Sequence, residues 1–351
     1  MRLPGATSTL SVPALTVAAM PDVPQFDFFD VPGAAPEGVN GAAVPEALVE
    51  LALRLPPELR LGTSSWSFPG WAGLVYAERQ SEQRLARVGL AAYARHPLLR
   101  TVGLDRTYYA PIAAAEFARY AAQTPPDFRF MVKAHLVLTT PIAQLARTSP
   151  VAPAVEHFLD PEYATRAVIE PMVEGLGERA GALLFQFPPL GTPHVRDARS
   201  FVARLGEFLG ALPRGPQYAI ELRNREFLTP AYVDCLARHG VTHCYNVHPR
   251  MPTVTEQDAL LGEAAWRSGA VVVRWMLHPT QEYEAARDRY FPFDRLVDPD
   301  PRNRQALVTL LDKLVLAGHE TLVIANNKAE GSAPLSLFTL ARDFARRGAR
   351  R

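Results

Sequence analysis

Cysteine is nearly absent: Cys235 and Cys244 are the only two in 351 residues. They lack a CxxC spacing, which excludes a disulfide-stapled scaffold and a thiolate zinc site. The scarcity fits a reducing compartment, so a cytoplasmic protein is expected, with both thiols as packing residues. Net charge is nearly absent too. With 37 basic and 36 acidic side chains the balance is +1, which excludes a global attraction to nucleic acid or to an anionic membrane. No apolar run reaches the roughly 18 residues that a membrane span needs, and no membrane partner is expected. The first twenty residues carry one arginine and are interrupted by Pro4 and Pro13, a poor secretory leader. There is no GxxxxGK[ST] loop, no placed GxGxxG and no GxSxG elbow, so the usual phosphate-loop, dinucleotide and nucleophile-elbow chemistries are not expected.

What is present points to one large core. Residues are 48% hydrophobic and 21% charged, ordinary for a globular chain. A core of this size buries about 70–75% of the unfolded chain's surface without a staple. Residues 1–56 read as an extension dominated by Pro, Gly and Ala, with a short helix near 45–55 docking on the body. From residue 57 onward a regular alternation begins. Near-continuous apolar runs at 59–64, 101–105, 128–134, 182–187, 217–222, 241–246, 270–276 and 321–326 read as strands buried on both faces. Helical patterns fill the gaps at 82–95, 113–123, 163–177, 198–212, 230–239, 303–317 and 335–346, with a weaker one at 257–268. The fold class expected is therefore α/β: a (β/α)8 TIM-type barrel over 57–351 with a mostly irregular N-terminal extension. The barrel is preferred to a doubly wound sheet because polar residues recur at the C-terminal end of nearly every strand. The connections 135–160 and 277–300 are long enough to build a lid or substrate contacts.

Those strand ends carry the chemistry. They supply Lys133 and His135 on the third strand, Gln186 on the fourth, Glu221 and Arg223 on the fifth, Asn246 and His248 on the sixth, Arg274 on the seventh, and Asn326 and Asn327 on the eighth. Alternation puts Lys133 with His135, and Glu221 with Arg223, on common faces. Lys133, Glu221 and Arg274 lie deep in apolar runs, where an unpaired charge is costly, so they should pair with one another or with a ligand. The reading is a polar, partly cationic, anion-binding pocket. Glu221 is the candidate general acid–base and Lys133 its catalytic partner. Trp66, Tyr109, Gln186, Arg223, Arg274, Asn326 and Asn327 are candidate ligand contacts. Packing alone is the competing account: a buried ion-pair layer, with the early aromatics as a plug over the barrel top. His135, His243, His248 and His278 could join Glu221 around a divalent metal, but no HxH or HExxH spacing appears, and neither a metal nor another cofactor is expected.

Several segments together are recognisable. Gly62-Thr63-Ser64-Ser65-Trp66-Ser67-Phe68-Pro69-Gly70-Trp71 resembles the opening GTSGWSYPGW of the domain-of-unknown-function 72 family, also called YecE-like. Thr107-Tyr108-Tyr109, the stretch from Pro125 to Lys133, Leu184-Phe185-Gln186-Phe187-Pro188-Pro189, Glu221-Leu222-Arg223, Val273-Arg274, and Asn326-Asn327 with Gly331 and Pro334 are similar to its later motifs, in order. The resemblance runs from about residue 60 to 340 and implies a TIM-type barrel without an established reaction. Gly103 and Asp105 stand where the family usually has an acidic residue and an asparagine. Phe227 replaces its tryptophan, and Asn246 its acidic residue on the sixth strand. The loss of carboxylates weakens any mechanism that needs a carboxylate pair.

Three functions are open at this level. The first is an enzyme, a hydrolase or isomerase of a small anionic, sugar-like or nucleotide-like substrate. The second is a nucleic-acid-binding or processing barrel using the rim arginines Arg223, Arg225, Arg250 and Arg274, which the near-zero net charge disfavours. The third is a non-catalytic ligand-binding protein. No feature sets an oligomeric state.

Overall fold

The computed structural model describes residues 38–148, 155–191, 195 and 197–349. Nine short strands form one sheet: β1 Leu59–Thr63, β2 Leu99–Leu104, β3 Arg129–Lys133, β4 Ala180–Gln186, β5 Tyr218–Glu221, β6 Thr242–His243, β7 Tyr245–Val247, β8 Val271–Trp275 and β9 Thr321–Ala325. All the ladders are parallel, and the order is β6-β5-β4-β3-β2-β1-β9-β8-β7. The two ends of that order are consecutive in the chain. β6 pairs with β5 and β7 with β8, so the chain itself closes the ring through Cys244. The architecture is the expected (β/α)8 barrel, with its sixth strand broken in two.

The break has a local cause. Cys244 N–H still donates to Ile220 O at 2.8 Å. At Asn246 the backbone turns to a side chain instead: Asn246 N–H donates to Gln257 Oε1 and Gln257 Nε2 donates to Asn246 O. Gln257 is fully buried and substitutes for a neighbouring strand, which satisfies two groups that would otherwise be orphaned. It sits in the helix Val254–Leu261, started by a Thr253–Glu256 capping box.

Alternation then sorts the side chains. Met131, Ala182, Leu184, Ala219, Cys244, Val272, Leu322 and Ile324 form a compact inner cluster, while Val102, Phe130, Phe185, Ile220, Tyr245, Val273 and Val323 belong to the larger layer between sheet and helices. The barrel is therefore a packed core, not a pore. Gly62 is required where β1 and β2 come together, since a Cβ there would lie 1.9 Å from Thr101 O, at the point where their register shifts.

The helices follow the expected order with physical refinements. The 82–95 pattern is two helices, Glu82–Val88 and Leu90–Ala94, because Gly89 ends the first. The 163–177 pattern runs from Pro161 to Leu176, with one turn, Thr165–Ile169, wound as a π-helix. The long connections hold the short helices Leu136–Thr139, Ile142–Thr148 and Tyr283–Tyr290. In the expected extension, residues 1–37 lie outside the described residues. Residues 38–53 pack on the barrel. Ala42 N–H donates to Val75 O and Ala77 N–H to Asn40 O, and the helix Glu46–Leu53 buries Leu48 and Leu51 beside the C-terminal helix Ala333–Gly348.

Candidate functional site

At the C-terminal ends of the strands the inward positions become polar. Ser64, Asp105, Lys133, Gln186, Glu221, Asn246, Arg274 and Asn326 close the barrel as one layer above the apolar plug, by the same alternation that sets the inner cluster. Gln186 lies across from Glu221, and Asn246 across from Arg274, in the strand registers.

Glu221 is the centre of an ion-pair triad. Its carboxylate, fully buried, contacts the Arg274 guanidinium on one oxygen and the Arg223 guanidinium on the other. Burial alone would raise its pKa, but Arg223 and Arg274 outweigh it and hold the group at about 2. It is a fixed anion at neutral pH, poorly matched to proton transfer there. Arg223 also donates to Asn246 Oδ1 at 3.3 Å. Arg274 reaches Asp105 at 3.9 Å and keeps a buried Nε without a hydrogen-bond partner. Asp105, an apparent departure in the sequence, thus brings a carboxylate to the cluster. At the other departure, Gly103, a Cβ would lie 3.0 Å from Met131 Cε, so a methionine fills the volume that a larger residue would use.

Lys133 is held differently. It is 8% exposed, and among the described residues its ammonium has no carboxylate partner or hydrogen bond. It lies over the Tyr108 ring, 3.6 Å from the centroid, a cation–π contact. Burial pushes its pKa down to about 8, Asp105 resists, and Arg274 adds to the fall. The Thr107-Tyr108-Tyr109 turn explains the placement. The Thr107 hydroxyl lies 2.7 Å from Leu104 O and 2.6 Å from Lys133 O, pinning the ends of β2 and β3 together and setting Tyr108 over the lysine.

The other expected contacts divide. Gln186 is half-buried with no partner for its amide among the described residues. Tyr109 is 46% exposed at the rim, edge-on to Tyr108. Asn326 donates to Ser64 Oγ and accepts from Lys328 N–H. Trp66 is not brought to the cluster. It is buried against Tyr120, and its indole N–H donates to Leu85 O. Asn327 is not either: its Oδ1 accepts from Trp71 Nε1 and Ala333 N–H, tying the first loop to the last helix. Gly70 permits the same closure from the other side, since a Cβ there would lie 1.8 Å from Pro292 O.

The histidines scatter. His243 points outward and bonds to Tyr232 and Gln257. His248 is pushed down to about 3 by burial and Arg223. Among the described residues no group of three or more His, Cys, Asp or Glu is placed to hold a metal ion. Sequence reasoning missed one arrangement in the 135–160 connection. Tyr163 OH lies 2.7 Å from His135 Nδ1, His157 stacks on Tyr163, and His157 Nδ1 meets Asp160 at 2.8 Å. Only the length of that connection hinted at it. Two clefts among the described residues lie in the outer helical layer, one lined by Gly206, Cys235 and His239 and the other by Leu51 and Arg342.

Fold and site define the class: a (β/α)8 barrel protein with a charged cluster in the position where such barrels carry their function. Within that class the chain belongs to the family described as "Protein of unknown function DUF72", whose model matches residues 60–351. Solved structures agree. A DUF72 family protein from Enterococcus faecalis is similar with a TM-score of 0.57 at 19% identity, covering 81% of this chain and 94% of that one. A second, from Thermotoga maritima, gives 0.51 at 21% identity, covering 81% and 98%. Among curated proteins none matches.

Proposed function

We propose that the strand-end cluster binds a small anionic molecule and that Lys133, rather than Glu221, moves a proton within it. The observation that carries this reading is the Lys133 ammonium, enclosed in the barrel mouth without a counter-ion among the described residues. Three cations, Lys133, Arg223 and Arg274, face two carboxylates, Glu221 and Asp105. One positive charge is left over, and an anion would neutralise it. A buried cation with no partner is costly, and binding an anion returns that cost as affinity. Glu221 then serves as the brace that fixes two guanidiniums, and Gln186 and Asn326 offer amides to the rest of the ligand. A lysine titrating near neutrality suits general acid–base work, which fits a hydrolase or isomerase.

The test is thermal stabilisation across inorganic phosphate, simple carboxylates and sugar phosphates, with the parent and Lys133→Met compared. At about a hundred times its Kd an anion should stabilise the parent by about 2.7 kcal/mol, and Lys133→Met should weaken that binding tenfold or more. Equal shifts in both proteins, or binding only to DNA or RNA with a steep salt dependence, would overturn it.

A further inference from the structure

Deepening that reading, and resting on it, we propose that the anion also carries a carbonyl carbon, and that Lys133 Nζ condenses with it to form an imine. Ion pairing alone would call for a lysine that keeps its proton, held by a carboxylate. Lys133 has the reverse setting. Its nearest described partner is the face of Tyr108, and its surroundings include the guanidiniums of Arg274 and Arg223 as well as Asp105 and Glu221. With its pKa pushed down to about 8, about one molecule in ten carries the neutral amine at pH 7, against roughly one in three thousand for an ordinary lysine. Proximity of cationic groups and desolvation is how an amine becomes a nucleophile.

The remaining members of the layer fit the two halves of such a ligand. Arg274 has a buried Nε with no hydrogen-bond partner, suited to a carboxylate or phosphate oxygen. Gln186 has an unengaged amide at the end of the neighbouring strand, suited to the developing hydroxyl. Lys133, at 8% exposed, is also more open than Glu221 at 0% or Arg274 at 2%. The reaction balances without a redox partner. The Nζ lone pair forms a C–N bond to the carbonyl carbon as the C=O π pair moves to oxygen. A proton passes from nitrogen to that oxygen, giving a carbinolamine. The C–O bond then breaks, the oxygen leaves as water, the nitrogen lone pair completes C=N, and the proton remaining on nitrogen balances the one the water takes.

The chain has only three lysines, Lys133, Lys313 and Lys328, so peptide mapping separates a Lys133 adduct from one at either other lysine or at the α-amino group. Lys313 is paired with Asp258; Lys328, also 8% exposed and over a tyrosine ring, that of Tyr283, is the internal control for burial and ring contact outside the Glu221, Arg223 and Arg274 cluster. The full chain is incubated with pyruvate and, separately, acetaldehyde, each with cyanoborohydride, which reduces C=N to a stable secondary amine; peptides are then mapped by mass. Expected is pyruvate labelling of Lys133 at least tenfold faster than of Lys313 or Lys328, with acetaldehyde, which lacks the carboxylate, several-fold slower at Lys133. Lys133→Arg should abolish the fast adduct while its melting transition confirms folding. Equal labelling of the three lysines, or none at Lys133, overturns the imine. Anion stabilisation that survives such a result leaves the binding reading standing, while loss of both overturns both.

Discussion

Lys133 and Glu221 share one layer of the barrel, and the fold treats their charges in opposite ways. Glu221 is held ionised by Arg223 and Arg274 down to about pH 2, so its contribution is present above the ordinary carboxylate range and is lost only as pH falls through that value. Lys133 titrates at about 8 in the fold, below its ordinary 10.5. Between those two values the unfolded chain binds more protons than the native one, so stability rises with pH across that window. Below it, the buried charge costs roughly 3 kcal/mol. Lys133→Met should therefore be more stable than the parent at pH 7, by up to about 3 kcal/mol, with the gap closing as pH approaches 10.5. Urea unfolding at a series of pH values measures this, and a gap independent of pH would mean the lysine is not penalised. The residues of this layer were legible because charges inside apolar runs are conspicuous. Their pairing was not. Which guanidinium meets which oxygen depends on register between strands far apart in sequence, and Trp66 and Asn327 differ from the expected ligand contacts because their partners, Leu85 O and Trp71, come from other loops.

At the scale of elements, strands were the clearest part of the sequence, since burial on both faces leaves continuous apolar runs. The sixth read as one run, 241–246, and is two. The interruption comes from Gln257, a side chain in the weakest helical pattern, which no local propensity marks. Gln257→Leu leaves Asn246 N–H, Asn246 O and one nitrogen of His243 without their partner. Orphaned buried groups cost about 1–3 kcal/mol each, so a total loss of roughly 3 kcal/mol or more is expected by chemical denaturation. Hydrogen exchange at the Asn246 amide should rise more than at amides of β3. Uniform change across the sheet would mean that Gln257 acts through general packing.

For the whole molecule, the family match begins at residue 60, yet the packed body begins earlier. Leu51 is 1% exposed on a helix that precedes the first strand and lies beside the last helix. Leu51→Ala should cost about 2–3 kcal/mol, seen as a fall in melting temperature of several degrees. A change within error would show that this helix rests on the barrel without stabilising it. Composition indicated that the extension differs from the body, but docking depends on the apolar face of the helix Ala333–Gly348, at the far end of the chain, which composition does not encode. Among the described residues no helix is long and apolar enough to cross a membrane.

The hydrogen bond from Trp71 to Asn327 joins positions 256 apart in the chain. It forms only when β1 meets β9, so nearly the whole polypeptide must be made before the ring can shut. Loops that long are entropically slow to close. Until then the first strand presents an open edge, and the nascent protein depends on its partial sheet staying unpaired with other chains. The indole of Trp71 is thus a marker of the moment at which a curved sheet becomes a barrel.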